Sequence, residues 1–188
     1  DVFTNPNFLS DNPYWVLPEW LSVTLTVIWI VFITNAVNFI DGLDGLAAGV
    51  SAIMSISLVF ISIRVGEYSI AILGIALMGS CFGFLPFNFN PAKIFMGDTG
   101  SLFLGGVVCA LAFGIDMPIL MIPVGIVYIV EMFSDILQVL YFRATHGKRI
   151  FKMAPIHHHF EMCGWSEVKI VLVFSVVTII GGVLSLIH

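Results

Sequence analysis

The sequence predicts an all-α, polytopic membrane fold with about six transmembrane helices, one of them broken or tilted. Three observations carry that expectation. Hydrophobic residues make up 59% of the 188 residues and charged ones only 10%, with a mean hydropathy of +1.06, a balance outside the range of soluble domains. The apolar residues gather in runs of the ~20 residues a helix needs to cross a bilayer. The charge collects in short segments between those runs.

The predicted spans are 20–40, 46–63, 69–87, 101–115, 119–142 and 168–187. Residues 1–19 hold Pro6, Pro13 and Pro18 with Asn5, Asn7 and Asn12 and read as an external loop, with neither the basic start nor the initiator Met of a signal peptide. A chain that opens on a polar loop is expected to be the later part of something longer. Tyr14, Trp15 and Trp20 suit the membrane interface ahead of the first span. The run 101–115 is short for a crossing, so it is expected to be tilted, broken or capped by neighbouring helices. Gly105-Gly106 and Gly181-Gly182 suit close helix packing. No repeat, low-complexity tract or long polar linker divides the chain, so residues 1–188 are expected to form a single integral-membrane domain. Cys81, Cys109 and Cys163 are scattered and suggest neither a disulfide framework nor a Cys-x-x-Cys metal site.

Net charge is −5, but topology follows the basic residues of short loops. Lys93, Arg143, Lys148, Arg149 and Lys152 lie after the third and fifth spans, and the opposite loops hold only Arg64. The loops near 41–45, 88–100 and 143–167 are therefore expected in the cytoplasm. The polar clusters fall on that same face: Asn35, Asn38, Asp41 and Asp44, then Asn88, Asn90, Lys93 and Asp98, then His157, His158, His159 and Glu161. That coincidence points to one site facing the cytoplasm.

Each cluster has a chemistry and a plainer alternative. In Asn38-x-x-Asp41-Gly42-Leu43-Asp44-Gly45 the polar groups recur every three residues, which on a helical turn keeps them together. Two carboxylates and an amide there can hold a divalent cation, position a lysine or accept hydrogen bonds from a ligand; alternatively, Asp41 caps the next helix and Asp44 is solvated. Gly97-Asp98-Thr99-Gly100-Ser101 sets a carboxylate and hydroxyls at a helix start, where backbone amides suit phosphate and the carboxylate suits Mg²⁺. It lacks the Gly-Lys-Ser/Thr ending of a Walker A loop. Phe95 offers a flat face to a base or sugar, or packs in a hydrophobic wall. His157-His158-His159, taken as an extended segment, points alternate rings to opposite sides, which disfavours a three-histidine chelate. With the basic residues nearby it suits phosphate contacts or proton transfer. Zinc, with Glu161 and Cys163, is a weaker alternative, and anionic lipid headgroups are a rival partner for the basic loop. Glu131, Ser134, Asp135 and Gln138 form a helical stripe that either lines a cavity or binds helices together.

Taken in order, Asn35-Ala36-Val37-Asn38, Asp41-Gly42-Leu43-Asp44-Gly45-Leu46, Asn88 to Lys93, Phe95-Met96-Gly97-Asp98-Thr99-Gly100-Ser101 and Pro155-Ile156-His157-His158-His159-Phe160-Glu161 resemble the phospho-N-acetylmuramoyl-pentapeptide transferase family. This is a branch of the polyprenyl-phosphate N-acetylhexosamine-1-phosphate transferases, whose other members share the aspartate motifs but not the histidine form. The resemblance implies transfer of phospho-MurNAc-pentapeptide from UDP-MurNAc-pentapeptide to undecaprenyl phosphate, giving lipid I and UMP for peptidoglycan. The implied setting is the cytoplasmic (inner) membrane of a bacterium, with Mg²⁺ as cofactor, membrane lipid as surroundings and a homodimer as assembly; no nucleic-acid partner is expected. It also implies that Asp98 is the metal-binding catalytic carboxylate, with Asp41, Asp44 and His158 catalytic. Asn38, Gly42, Leu43, Asn88, Phe95, His157 and His159 become substrate-binding, with Asn88 close to Asp98, Phe95 against the uracil, and His158 and His159 facing the diphosphate or sugar. The family carries about ten spans and an upstream Asp-Asp motif, whereas no adjacent Asp-Asp pair occurs here. An N-terminal half is therefore an expected partner, and these residues alone are expected to be inactive. The competing classes are a sibling transferase using UDP-GlcNAc, and a transporter or channel built on intramembrane Glu131 and Asp135.

Overall fold

The computed structural model describes residues 18–187. Of the interfacial aromatics, Tyr14 and Trp15 lie outside the described residues, as does nearly all of the expected external loop.

The described chain is helical throughout, with α1 (Glu19–Ile40), α2 (Leu46–Val65), α3 (Tyr68–Asn88), α4 (Gly97–Gly114), α5 (Met121–Val124) entered through a short 3₁₀ turn at Pro118–Leu120, α6 (Ile126–Ala144), α7 (Ile156–Glu161) and α8 (Glu167–Ile187). Five helices (α1, α2, α3, α4 and α8) are long and apolar enough to cross a membrane, and the bent pair Pro118–Val124 with Ile126–Ala144 brings the number to six if it is counted as one span. The fold class is therefore the one the sequence predicts. The position of the break is not. The short run at 101–115 is lengthened by residues 97–100 into the continuous α4, and the break falls in the expected fifth span, which bends by 84°. Pro118 and Pro123 supply the physical reason, since proline lacks the N–H a continuous helix needs.

Helix α2 sits at the centre, packed chiefly on α3 and α8, while α1 packs on α4 and α6. Its central place explains its sequence: a helix that is apolar all round is one that is buried all round. Its serines are satisfied within the helix, Ser51, Ser55 and Ser62 each donating to the carbonyl four residues earlier. Ser51 also meets the Tyr128 hydroxyl at 2.6 Å, joining α2 to α6. In α1 the buried residues Ile33, Ala36, Val37 and Ile40 follow the one-face spacing, and the opposite face is exposed. Close helix approach is seen at Gly105, where a Cβ would stand 2.8 Å from the Thr34 Cα, and at Gly181, where it would stand 2.0 Å from the Pro123 carbonyl oxygen.

The connections at one end of the bundle are tight. Gly66 closes α2 in the left-handed region (φ 90°), with the N–H groups of Gly66 and Glu67 turned back onto Ile63 and Ser62. At the other end lie the longer connections 41–45, 89–96 and 145–155, the three segments that carry the polar clusters.

Candidate active site at the loop end of the bundle

Asn38 stands in the last turn of α1 and Asp98 in the first turn of α4, and packing of these helices brings them together. The Asn38 amide donates to Asp98 Oδ1 at 3.2 Å and to Ser101 Oγ at 2.8 Å. Ser101 is fully buried and donates in turn to the Gly97 carbonyl. One Asp98 oxygen is thus held from below while the residue stays exposed. Met96, ahead of α4, supplies no side-chain cap, so the first-turn N–H groups face the same end, that of Gly97 being taken by Asp41.

Asp41 lies beside this pair. Burial pushes its carboxyl up to about 6 from the ordinary 3.8, a hydrogen bond from the Gly97 backbone pulls it down, and the charge of Asp98 raises it. Asp41 does not cap α2, which is preceded by Gly45 without a side-chain cap. Asp44 is not merely solvated either: its Oδ2 accepts from the Ala92 N–H at 2.8 Å and the Asn90 amide at 3.3 Å. Asn90 also donates to Glu167 Oε2 at 3.2 Å, and the Asp44 N–H points to the same oxygen at 3.4 Å. Asp44 and Glu167 together clasp the connection that leads from α3 to Asp98.

Asn88 is buried and bolts the two aspartate segments together, its Oδ1 accepting from the Gly45 N–H at 3.1 Å and its amide donating to the Ile94 carbonyl at 3.0 Å. The amide that hydrogen-bonds Asp98 is Asn38, while the Asn88 amide engages the Gly45 and Ile94 backbone. Gly45 adopts φ 77° here, and a Cβ on it would meet the Phe89 ring at 3.1 Å. Leu43 is buried in the core below the turn, and Gly42 is exposed on it. Phe95 is 74% exposed at the same end.

The histidine segment is a short helix, α7, and not the extended segment considered from the sequence, so its three rings point in three directions. His157 is fully buried with Nδ1 3.0 Å from Glu131 Oε2. His158 is partly exposed, with Nδ1 2.5 Å from Glu161 Oε2, and its Nε2 edge faces Gly42. His159 turns to the basic loop, its Nδ1 accepting from the Lys152 N–H at 3.1 Å and its Nε2 meeting Cys163 Sγ at 3.8 Å. Among the described residues, no three His, Cys, Asp or Glu side chains converge as a metal-holding group, so neither zinc on the histidines nor a complete protein cage for a cation is formed.

The stripe on α6 resolves toward holding the loop. Gln138 Oε1 accepts from the N–H groups of Ile150 and Phe151, and its amide donates to the Phe151 carbonyl. Ser134 Oγ accepts from the Ile156 N–H and donates to the Glu131 carbonyl. Glu167 is the residue the sequence reading missed, although a carboxylate abutting an apolar run is the signal that singled out Asp98.

Fold and site together define a multi-pass helical membrane protein with a carboxylate–amide cluster at one end of its bundle. The chain belongs to glycosyl transferase family 4, whose model matches residues 2–116, the stretch holding both aspartate segments. It is 52% identical over 158 residues to a phospho-N-acetylmuramoyl-pentapeptide-transferase of Clostridium botulinum, covering 84% of this chain and 48% of that protein. It is 51% identical over 168 residues to one of Caldicellulosiruptor bescii, covering 89% and 52%. A third, from Clostridium perfringens, is 55% identical over 148 residues, covering 79% and 46%. The chain spans about half the length of the curated relatives it matches.

Proposed function

We propose that the polypeptide to which these residues belong transfers phospho-MurNAc-pentapeptide from UDP-MurNAc-pentapeptide to undecaprenyl phosphate, releasing UMP and forming lipid I. In this reading the site faces the cytoplasm in the inner membrane of a bacterium, with a homodimer as the assembly. The observation that carries it is the Asn38–Asp98 contact, which joins the family's two aspartate segments at an exposed end of the bundle. The names of the relatives support the substrate class.

Attack by a lipid phosphate on a diphosphate brings anions together, and a bound Mg²⁺ supplies charge neutralisation there. The donor set fits a hard cation: Asp98 keeps one carboxylate oxygen out of its contact with Asn38, Asp41 repels it from alongside, and both offer only oxygen. Asp98 is the residue that would hold the ion. With no third acidic or histidine ligand among the described residues, further ligands would come from substrate, water or the other half of the polypeptide.

The chain's own residues divide the remaining work. Asn38 orients Asp98, and the first-turn N–H groups of α4 attract phosphate oxygens. Asn88, Asp44 and Glu167 keep the two aspartate segments in register, and exposed Phe95 offers its ring to the uracil. His158, oriented by Glu161, presents its Nε2 toward the aspartate turn, where it can exchange a proton with the substrate.

The test uses the full-length polypeptide with undecaprenyl phosphate and Mg²⁺, measuring UMP release from UDP-MurNAc-pentapeptide and from UDP-GlcNAc. Turnover of the first, abolished by Asp98→Asn, is the expected result. Faster turnover of UDP-GlcNAc moves the assignment to the sibling transferases, and full activity in Asp98→Asn removes that carboxylate from the centre.

A further inference from the structure

Glu131 and His157 are both 0% exposed, and each leaves a buried polar atom without a partner, Oε1 of Glu131 and Nε2 of His157. An apolar pair of the same volume would serve packing better, because burying ionisable groups in low dielectric is costly unless every polar atom is satisfied. The position of the unpaired nitrogen shows what the pair does. A Cβ added to Gly42 would stand 2.9 Å from His157 Nε2, closer than real Cβ contacts allow, and 3.5 Å from His158 Nε2. The imidazole edge is thus the floor under the turn that carries Asp41 and Asp44. The hydrogen bond between His157 Nδ1 and Glu131 Oε2 fixes the ring plane and leaves Nε2 directed at that turn. Ser134 reinforces the arrangement by joining the start of α7 to the Glu131 carbonyl.

We propose that Glu131 is a positioning residue that acts through His157 and Gly42 to set the height of the Asp41 turn against Asp98. His157 is then a support beneath the site and not one of its substrate contacts. The inference rests on the transferase reading for its effect on turnover, but the contact itself is independent of it.

The experiment uses the full-length protein and measures melting temperature together with kcat and KM. The variants are Glu131→Gln, Gly42→Ala, His157→Ala and the Gly42→Ala/His157→Ala double variant. A purely structural role lowers only the active fraction, and so moves kcat and leaves KM alone. Positioning predicts that Glu131→Gln, nearly isosteric, raises KM for the UDP-sugar by about fivefold in protein that still melts cooperatively, as expected for residues acting in one network. Gly42→Ala is expected to cost about tenfold in kcat/KM alone and less than about threefold once His157→Ala has removed the floor. Should His157→Ala not fold, the same cycle is read with Glu131→Gln. An unchanged KM in Glu131→Gln, or additive effects of Gly42→Ala and its partner, overturns the proposal. If the parent releases no UMP while Gly42 and His157 remain coupled in melting temperature, the transferase reading falls and the contact stands.

Discussion

Asp41 shows how a single side chain can be placed against its own stability. Its carboxyl is partly removed from water and lies beside another carboxylate, so its folded-state value of about 6 stands above the ordinary 3.8. A raised acid binds its proton more tightly in the folded state. Its stabilising contribution is full below the ordinary value and is lost as pH rises through about 6, leaving an ionised group that opposes folding at neutral pH. Asp41→Asn keeps an oxygen for the Gly97 N–H and loses the charge. With divalent cations chelated, it is expected to melt above the parent at pH 7.5, with the gap closing toward pH 4. A variant that melts lower at pH 7.5 would show that the carboxylate holds the turn together and is not tolerated for function. That Asp41 stands in the polar cluster at the loop end was readable from its costly place beside an apolar run. That Asn38 and not Asn88 holds Asp98 was not, because both amides stand at helix ends and only packing of α1 on α4 chooses between them.

At the scale of elements, the site is held by polar side chains on the helices that bolt the connections between them. Gln138 is the clearest case, since one side chain on α6 engages two N–H groups and one carbonyl of the connection that leads to α7. Gln138→Ala leaves three backbone groups to find water, at a cost of about 1–3 kcal/mol where they stay buried. The expected outcome is faster proteolytic cutting within 146–155, with melting lowered by a few degrees and α-helical circular dichroism retained. Unchanged cutting would show that the loop is held by Lys152, His159 and Met162 instead. Hydrophobic run length foretold every long helix, because each crossing must bury its backbone hydrogen bonds within itself. It foretold neither the 84° break nor α7. Pro123 and Gly125 lie inside the 119–142 run, whose first twelve residues carry no charge to mark a break, and the six residues of α7 are too few to leave a periodic signal.

For the whole molecule, the charge bias of a few short loops and the cohesion of the polar clusters are independent statements that agree. Asn38 with Asp98, Asp44 with Asn90 and Glu167, and Gly42 with the histidines all meet at one end of the bundle. At the far end, Arg64 donates to the Leu186 carbonyl, where α2 and α8 finish together. One crossing of α2 therefore separates the site from Glu67, and two cysteines inside the bundle leave a clean reporter. Cys81 and Cys109 are buried, and Cys163, just after α7, is exposed on the site side. In sealed vesicles carrying the full-length polypeptide, a membrane-impermeant maleimide is expected to label Cys163 from the face opposite to the one that labels Glu67→Cys. Cys163 should react in inverted vesicles and Glu67→Cys in right-side-out ones, because Lys93, Arg143, Lys148, Arg149 and Lys152 all belong to the site end. Opposite labelling with the two faces exchanged would keep the fold and reverse its orientation, which would remove the proposed cytoplasmic placement of the site. Labelling of both positions from one face would mean that α2 does not cross, and the loop-end cluster would no longer be a membrane-surface site at all.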